Sequence, residues 1–152
     1  MQLPDLNTMT PIKAATFVAN FLQQRWPAAE FLILTDPEAA YLYSYKVIKG
    51  RWSEAEDVIL SHEDPDLIYR YAYNVIQGPW SEGEPLMATD PQTATNYAIN
   101  VLTGPFLIGE DSIASTPETA FRYANIIIKG AWEKGENAIK QNALWSYHYA
   151  LS

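Results

Sequence analysis

The chain has 152 residues, no cysteine and a formal net charge of −8 at pH 7. This length is enough for one domain with a substantial core, and a hydrophobic fraction of 48% excludes general disorder. Without cysteine there can be no disulfide, thiolate metal site or cysteine nucleophile. The acidic charge disfavours direct nucleic-acid binding, which needs a basic surface.

The first nine residues contain neither a basic segment nor a long apolar run. We therefore expect no secretory signal and interpret residues 1–9 as an N-terminal arm. Apolar runs along the rest of the chain are too short for a membrane span. These features predict a cytoplasmic protein that does not contact membranes.

From residue 10 onward the sequence is a tandem repeat. An Asp-Pro or Thr-Pro pair opens each copy, and the copies begin at residues 10, 36, 64, 90 and 116. The usual interval is 26 residues, which is typical of stacked helical repeats. We predict one all-α domain over residues 10–152, an α-solenoid of about five helix-pair repeats. Residues 142–152 are interpreted as a capping half-repeat with a single C-terminal helix.

The sequence of each repeat predicts two helices, as repeat 3 (64–89) illustrates. Asp64 and Pro65 are a helix-start signal, because Asp accepts free amide protons and Pro has none to satisfy. Apolar residues then recur at helical spacing: Ile68, Tyr71, Ala72, Val75 and Ile76. We expect Gly78 to end this helix in the left-handed conformation. Ser81 and Glu84 have the spacing of a capping box at the start of the second helix.

Two other positions recur in the second half of every full repeat. One accepts only alanine or glycine, which indicates close packing rather than a phosphate-binding loop: Ala29, Ala55, Gly83, Gly109 and Gly135. The other is always glutamate: Glu30, Glu56, Glu84, Glu110 and Glu136. Because these glutamates should be spaced along a stack, we expect helix capping or an inter-repeat hydrogen bond rather than catalysis.

The last repeat differs from the others at one position. Earlier repeats carry small, aliphatic or lysine side chains where the half-repeat carries Trp145. Terminal repeats are usually atypical because they cover the end of the stack. We therefore expect Trp145 to cap the repeats of a monomer or to form a homodimer contact.

The repeated phrase resembles a known kind of sequence. Tyr43, residues 47–52 (VIKGRW), residues 54–56 (EAE) and the 64–65 pair carry the motif. It is similar to short tandem helical repeats in proteins of large tailed phages and large DNA viruses, to which no chemistry is assigned. The resemblance runs from Thr10 to the C-terminus, although residues 106–108 (FLI) depart from the motif. It implies an accessory phage protein that acts on a host protein in the host cytoplasm.

A candidate partner-binding surface lies on the first helices, opposite their apolar stripe. Long basic or amide side chains form rows there, and two tyrosines lie beside them. The candidate residues are Lys46, Lys49, Arg70, Tyr73, Asn74, Gln77, Asn96, Asn100, Arg122 and Lys129. The alternative is that this charge pattern only complements the helix dipoles, with acids at N-termini and bases toward C-termini.

These patterns predict a non-enzymatic protein-interaction module that binds a host or phage protein and modulates or inhibits it. We predict no catalytic residue, no cofactor and no metal site, because the two histidines, His62 and His148, lie far apart in the sequence. The alternative is a nucleic-acid-related role. The chain would then be either an acidic DNA mimic that blocks a nucleic-acid-binding protein, or a helical-repeat RNA binder.

Overall fold

A computed structural model describes residues 1–151, and no strand occurs among them. The α-helices in chain order are α1 (Pro11–Phe17), α2 (Pro27–Ile33), α3 (Pro37–Tyr43), α4 (Ser53–His62), α5 (Pro65–Tyr71), α6 (Glu84–Met87), α7 (Pro91–Tyr97), α8 (Glu110–Ile113), α9 (Pro117–Tyr123), α10 (Glu133–Lys140) and α11 (Ala143–Leu151). Each helix packs against neighbours in a pattern that recurs from repeat to repeat. The predicted all-α helical-repeat fold is confirmed.

The chain forms two compact units, Met1–Ile76 and Gln77–Ser152. Helices α1 to α5 belong to the first unit, and α6 to α11 belong to the second. In the N-terminal arm, a 3-10 turn at Leu6–Thr8 is capped by the Asp5 side chain. Within residues 1–151, no helix combines the length and the apolar character that crossing a membrane requires.

The first helix of each full repeat starts as predicted. In α3, the Asp36 carboxylate accepts the Ala39 N–H at 2.8 Å, and in α7 the Asp90 carboxylate accepts the Thr93 N–H at 2.7 Å. Proline occupies the first turn in each case, where the missing amide proton costs nothing. The same cap is made by Thr10, Asp36, Asp64, Asp90 and Thr116.

These first helices all end in a π-helical turn, in which hydrogen bonds span five residues. The turns are Val18–Leu22, Ser44–Ile48, Ala72–Ile76, Ala98–Leu102 and Ala124–Ile128. In the second of them, the Lys49 N–H donates to the Ser44 carbonyl at 2.8 Å. An isolated π-turn often marks a functional site. Here a π-turn occurs in every full repeat, so these turns are part of the architecture.

The predicted left-handed glycines are wrong. Among residues 1–151 no glycine has a positive φ; the left-handed residue is the one that follows the π-turn, directly before the glycine in repeats 2 to 5 and before Gln24 in repeat 1. These residues are Gln23, Lys49, Gln77, Thr103 and Lys129, with φ between 50° and 59°. The π-turn causes this shift of the left-handed position. The last hydrogen bond of the turn is donated by the Lys49 N–H, and the Gly50 nitrogen lies 3.4 Å from the same Ser44 carbonyl oxygen. The helix therefore reverses one residue earlier than an α-helical ending would.

Adjacent repeats are joined by a feature that we call the tyrosine clasp. In it, a first-helix tyrosine hydroxyl accepts the N–H of the preceding repeat's aromatic residue and donates to that repeat's glutamate. Tyr97 accepts the Trp80 N–H at 2.9 Å and donates to Glu84 Oε1 at 2.8 Å. The other clasps are Tyr43 with Trp26 and Glu30, Tyr71 with Trp52 and Glu56, Tyr123 with Phe106 and Glu110, and Tyr149 with Trp132 and Glu136. The recurring glutamates thus make an inter-repeat hydrogen bond, one of their two expected roles.

The predicted capping box at Ser81 and Glu84 is not formed. Helix α6 begins at Glu84 itself, and the Ser81 hydroxyl donates to Glu82 at 3.0 Å. The Glu84 carboxylate instead accepts the Tyr97 hydroxyl. The Glu84 side chain is therefore bonded to Tyr97 of the next repeat and does not cap its own helix.

The alanine-or-glycine position is closely packed, as predicted. A Cβ added at Gly109 would overlap the Phe106 ring, and one added at Gly135 would overlap the Trp132 ring. In both places the aromatic ring of the same repeat covers the glycine.

Each unit has its own buried core, in which alanines on the first helices allow close helix approach. In the first unit the fully buried residues include Ala14, Ala15, Val18, Ile33, Ala39, Ala40, Tyr43, Ile59, Leu67, Ile68 and Tyr71. In the second unit they include Met87, Ala94, Tyr97, Ala98, Ile113, Ala120, Tyr123, Ala124 and Ile139. Every buried side-chain nitrogen or oxygen within residues 1–151 has a hydrogen-bond partner.

Candidate interaction surface

Four tyrosines on two first helices of the first unit form a surface that we call the tyrosine face. Tyr41 and Tyr45 stack with ring centroids 6.1 Å apart and planes 12° apart. Tyr69 and Tyr73 repeat the arrangement at 5.9 Å and 22°. Each pair is spaced by four residues, which places both rings on one side of the helix. The face thus consists of two stacked pairs on α3, α5 and the π-turns that follow them.

The outer ring of each pair is open to solvent. Tyr45 is 36% exposed and Tyr73 is 49% exposed. Because each stacks on an inner tyrosine, these exposed rings are held in place rather than free to rotate. Large, rigid and partly exposed aromatics are typical anchors of protein interfaces.

Arg70, a predicted site residue, is held by carboxylates of its own chain. Its two terminal nitrogens donate to the Glu38 carboxylate, and Nε donates to Asp66 Oδ2 at 2.9 Å. Its guanidinium also lies 5.1 Å from the centre of the Tyr41 ring. The hydrogen bonds that Arg70 donates to Glu38 raise the pKa of Arg70 further above its already high ordinary value. Arg70 therefore braces the tyrosine face and does not supply a free positive charge.

Two more predicted residues support the same face. The Asn74 amide donates to the Tyr41 hydroxyl at 3.0 Å, which links repeat 3 to repeat 2. The Lys46 ammonium lies 4.3 Å from the centre of the Tyr45 ring, within cation–π range. Burial raises the pKa of Tyr41, whose hydroxyl accepts the bond from Asn74.

Three predicted residues occupy the left-handed positions that end the first helices. Lys49, Gln77 and Lys129 are all exposed and have φ values of 57°, 57° and 59°. Lys49 belongs to the first unit, and the other two belong to the second. The same left-handed conformation occurs at this position in every full repeat, so it belongs to the architecture.

In the second unit the structure joins two of the remaining predicted residues. Arg122 Nη2 donates to Asn96 Oδ1 at 3.1 Å, which connects repeat 5 to repeat 4. Asn100 lies one turn further along the first helix of repeat 4 and is exposed. This group has no counterpart of the two stacked tyrosine pairs, because its residues at those positions are Thr95, Ile99, Phe121 and Asn125.

Sequence reasoning missed the inner tyrosines and the acid that fixes the arginine. Tyr41 and Tyr69 were not among the predicted residues, although the spacing Tyr-x-x-x-Tyr occurs twice and could have indicated both pairs. Glu38 lies in the first turn of α3, where the helix dipole alone accounts for an acid in the sequence. Its bond to Arg70 spans 32 residues and depends on the stacking of α3 and α5.

The acidic side chains serve the scaffold in the places where the structure shows their bonds. The recurring glutamates each accept a clasp tyrosine and are distributed one per repeat, so they do not converge on a common point. Glu30 and Glu56 are also paired with Arg25 and Arg51. Within residues 1–151, no group of three or more His, Asp or Glu side chains could hold a metal ion.

Trp145 lies on α11 and is only partly exposed. Its ring centroid is 5.1 Å from that of Phe121 in the preceding repeat. This contact is what a cap on the last full repeat requires. Whether the protein is a monomer or a homodimer stays a prediction.

Comparison of the chain with protein-family models, with curated proteins and with solved structures found no match.

Proposed function

We propose that this protein is a non-enzymatic protein-interaction module and that its first unit binds a partner protein through the tyrosine face. The observation that carries the proposal is that Tyr45 and Tyr73 are exposed while each stacks on an inner tyrosine, Tyr45 on Tyr41 and Tyr73 on Tyr69. Aromatic side chains held in place before binding lose little conformational entropy when a partner covers them.

The bracing of the face supports the same proposal. Arg70 and Asn74 hold Tyr41 from the next repeat, so the face keeps its shape across the junction between two repeats. Because Arg70 is neutralised by Glu38 and Asp66, shape and aromatic contact dominate here over positive charge. This arrangement favours a protein partner over a nucleic-acid backbone, which is bound chiefly by unpaired cations.

The test replaces the outer rings and measures partner capture. We expect the double variant Tyr45→Ser/Tyr73→Ser to lose at least about tenfold in affinity, since truncating an interface anchor typically costs about 2 kcal/mol or more. Nuclease-treated lysate is passed over the tagged protein, retained proteins are identified by mass spectrometry, and the affinity of the purified partner is then measured by calorimetry.

The matched control is Phe31→Ser, because Phe31 is also in the first unit and is 84% exposed on α2. It removes a more exposed ring that is not part of the tyrosine face and should leave the affinity unchanged. Both variants should remain folded, which circular dichroism checks. Equal affinity of the double variant and the wild type would exclude this surface, and capture that disappears with nuclease would favour the nucleic-acid alternative.

A further inference from the structure

A groove in the second unit lies beside the N-terminal turns of α7, α9 and α11. Its volume is about 380 Å³, and Asp90, Gln92, Thr116, Glu118, Asn142 and Trp145 contribute to its lining. This is near the lower end of the range for small-ligand sites, about 300–1,000 Å³. It is large enough for a single side chain from a partner, and none of the residues that line it is basic.

Glu118 is the uncommitted carboxylate in this groove. Asp90 caps α7, and Asn142 caps α11 by accepting the Leu144 N–H at 3.0 Å. Glu118, by contrast, is exposed and makes no hydrogen bond or ion pair with any part of the chain that the structure describes. The groove therefore offers a negative charge that the protein itself does not neutralise.

Trp145 provides an aromatic wall next to this charge. Its ring packs against Phe121 and also lines the groove. An indole ring is the aromatic surface that binds cations most strongly, and arginine is the cation found on it most often. A carboxylate and an indole in one groove thus form a chemically suitable pair for a guanidinium.

The first unit shows what the equivalent position binds. Glu38 is the second residue of α3, just as Glu118 is the second residue of α9. Glu38 accepts both terminal nitrogens of Arg70, which comes from the next repeat and lies over the Tyr41 ring. The same repeat position is therefore occupied by an arginine held between a glutamate and an aromatic ring.

The half-repeat does not supply such an arginine to Glu118. At the position equivalent to Arg70 it carries His148, and at the position equivalent to Asp66 it carries Leu144. His148 lies 6.2 Å from the Phe121 ring and forms no ion pair with Glu118. We propose that the groove binds an arginine side chain of a partner polypeptide, held by Glu118 and the Trp145 ring.

This proposal does not depend on the tyrosine face, since that face lies in the first unit. The groove would bind one arginine side chain of an extended segment. A planar guanidinium can donate to a carboxylate through two nitrogens at once. Lysine should bind less well because its ammonium is a compact charge without this paired geometry. Neutral side chains of the same shape should not bind.

The experiment follows the indole Nε1–H resonance of Trp145 by NMR, assigned through the Trp145→Phe variant. The probe is the blocked peptide acetyl-Gly-Arg-Gly-amide, titrated to millimolar concentrations. We expect a saturable shift with the arginine peptide, a weaker response with its lysine analogue and none with its citrulline analogue. Glu118→Gln should weaken binding at least fivefold, because it removes the charge and keeps the shape.

Glu133→Gln is the matched control, since Glu133 is an exposed acid in the first turn of α10 in the same unit. It should leave the dissociation constant of the arginine peptide unchanged. The proposal is overturned if the Trp145 resonance does not shift, if citrulline shifts it equally, or if Glu118→Gln binds as tightly as wild type. Folding of each variant is checked by the unchanged positions of the other indole resonances.

Discussion

Thr103 shows how the π-turns affect single residues. It holds a backbone φ of 50° at the end of the first helix of repeat 4. The left-handed region is unfavourable for residues with a Cβ and most unusual for β-branched ones. Gly104 directly follows it but does not use the left-handed conformation. The strain therefore falls on the residue that the π-turn brings to this position.

Replacement of Thr103 by glycine should stabilise the protein. We expect a gain of about 0.5–1 kcal/mol, because relief of the left-handed strain exceeds the extra chain entropy of glycine in the unfolded state. Urea unfolding followed by circular dichroism measures the difference. Thr103→Ala is the control: it removes the same side chain and keeps a Cβ, so it should give no gain. An equal gain in both variants would mean that side-chain loss, not backbone strain, is responsible.

At the scale of helices, the tyrosine clasp is the repeated contact that joins one helix pair to the next. The hydroxyl of Tyr97 satisfies a buried backbone N–H and a partly buried carboxylate in one step. In repeat 1 the equivalent residue is Phe17, which has a ring but no hydroxyl. An aromatic ring thus occupies this position in every repeat, and the clasp additionally needs the hydroxyl.

Tyr97→Phe should therefore lower stability while keeping the fold. Loss of the hydroxyl leaves the Trp80 N–H without its acceptor, and an unsatisfied buried donor costs about 1–3 kcal/mol. Urea unfolding of the purified variant gives the change in unfolding free energy. Tyr73→Phe is the control because it removes an exposed hydroxyl from a ring of similar size, and its effect should stay within about 0.5 kcal/mol. Similar losses in the two variants would contradict the assigned role of the clasp.

At the scale of the whole molecule, the clasps should make the free energy of unfolding fall at alkaline pH. Burial raises the pKa of Tyr43, Tyr71 and Tyr123 to about 12 and also raises that of Tyr97. In the unfolded chain, tyrosine titrates near a pKa of about 10. A tyrosine whose pKa is raised in the folded state contributes its full share of the unfolding free energy below a pH of about 10. This contribution is lost as the pH rises toward about 12. Both units contain such tyrosines, so both should weaken together.

We expect the unfolding free energy to be steady from pH 8 to the unfolded tyrosine pKa of about 10 and to fall above it. Guanidinium unfolding at closely spaced pH values measures this curve. A variant with clasp tyrosines replaced by phenylalanine should start less stable and fall less steeply. A steep decline that is unchanged in that variant would show that other groups cause the alkaline loss.

The sequence alone determined the all-α repeat fold and the starts of the first helices. These features depend on contacts within a few residues, such as the bond from Asp36 to the Ala39 N–H. On the candidate surface, Arg70 and Asn74 could be assigned to one helical face from their spacing of four residues alone.

The tertiary structure decided which group each side chain bonds. The Glu84 carboxylate joined Tyr97 in the next repeat, 13 residues away, instead of a local cap. Arg70 was neutralised by Glu38 over 32 residues, whereas Glu118 at the equivalent position makes no ion pair within the described residues 1–151. Local propensity cannot fix such pairings, because they depend on the distance and angle at which successive helices stack.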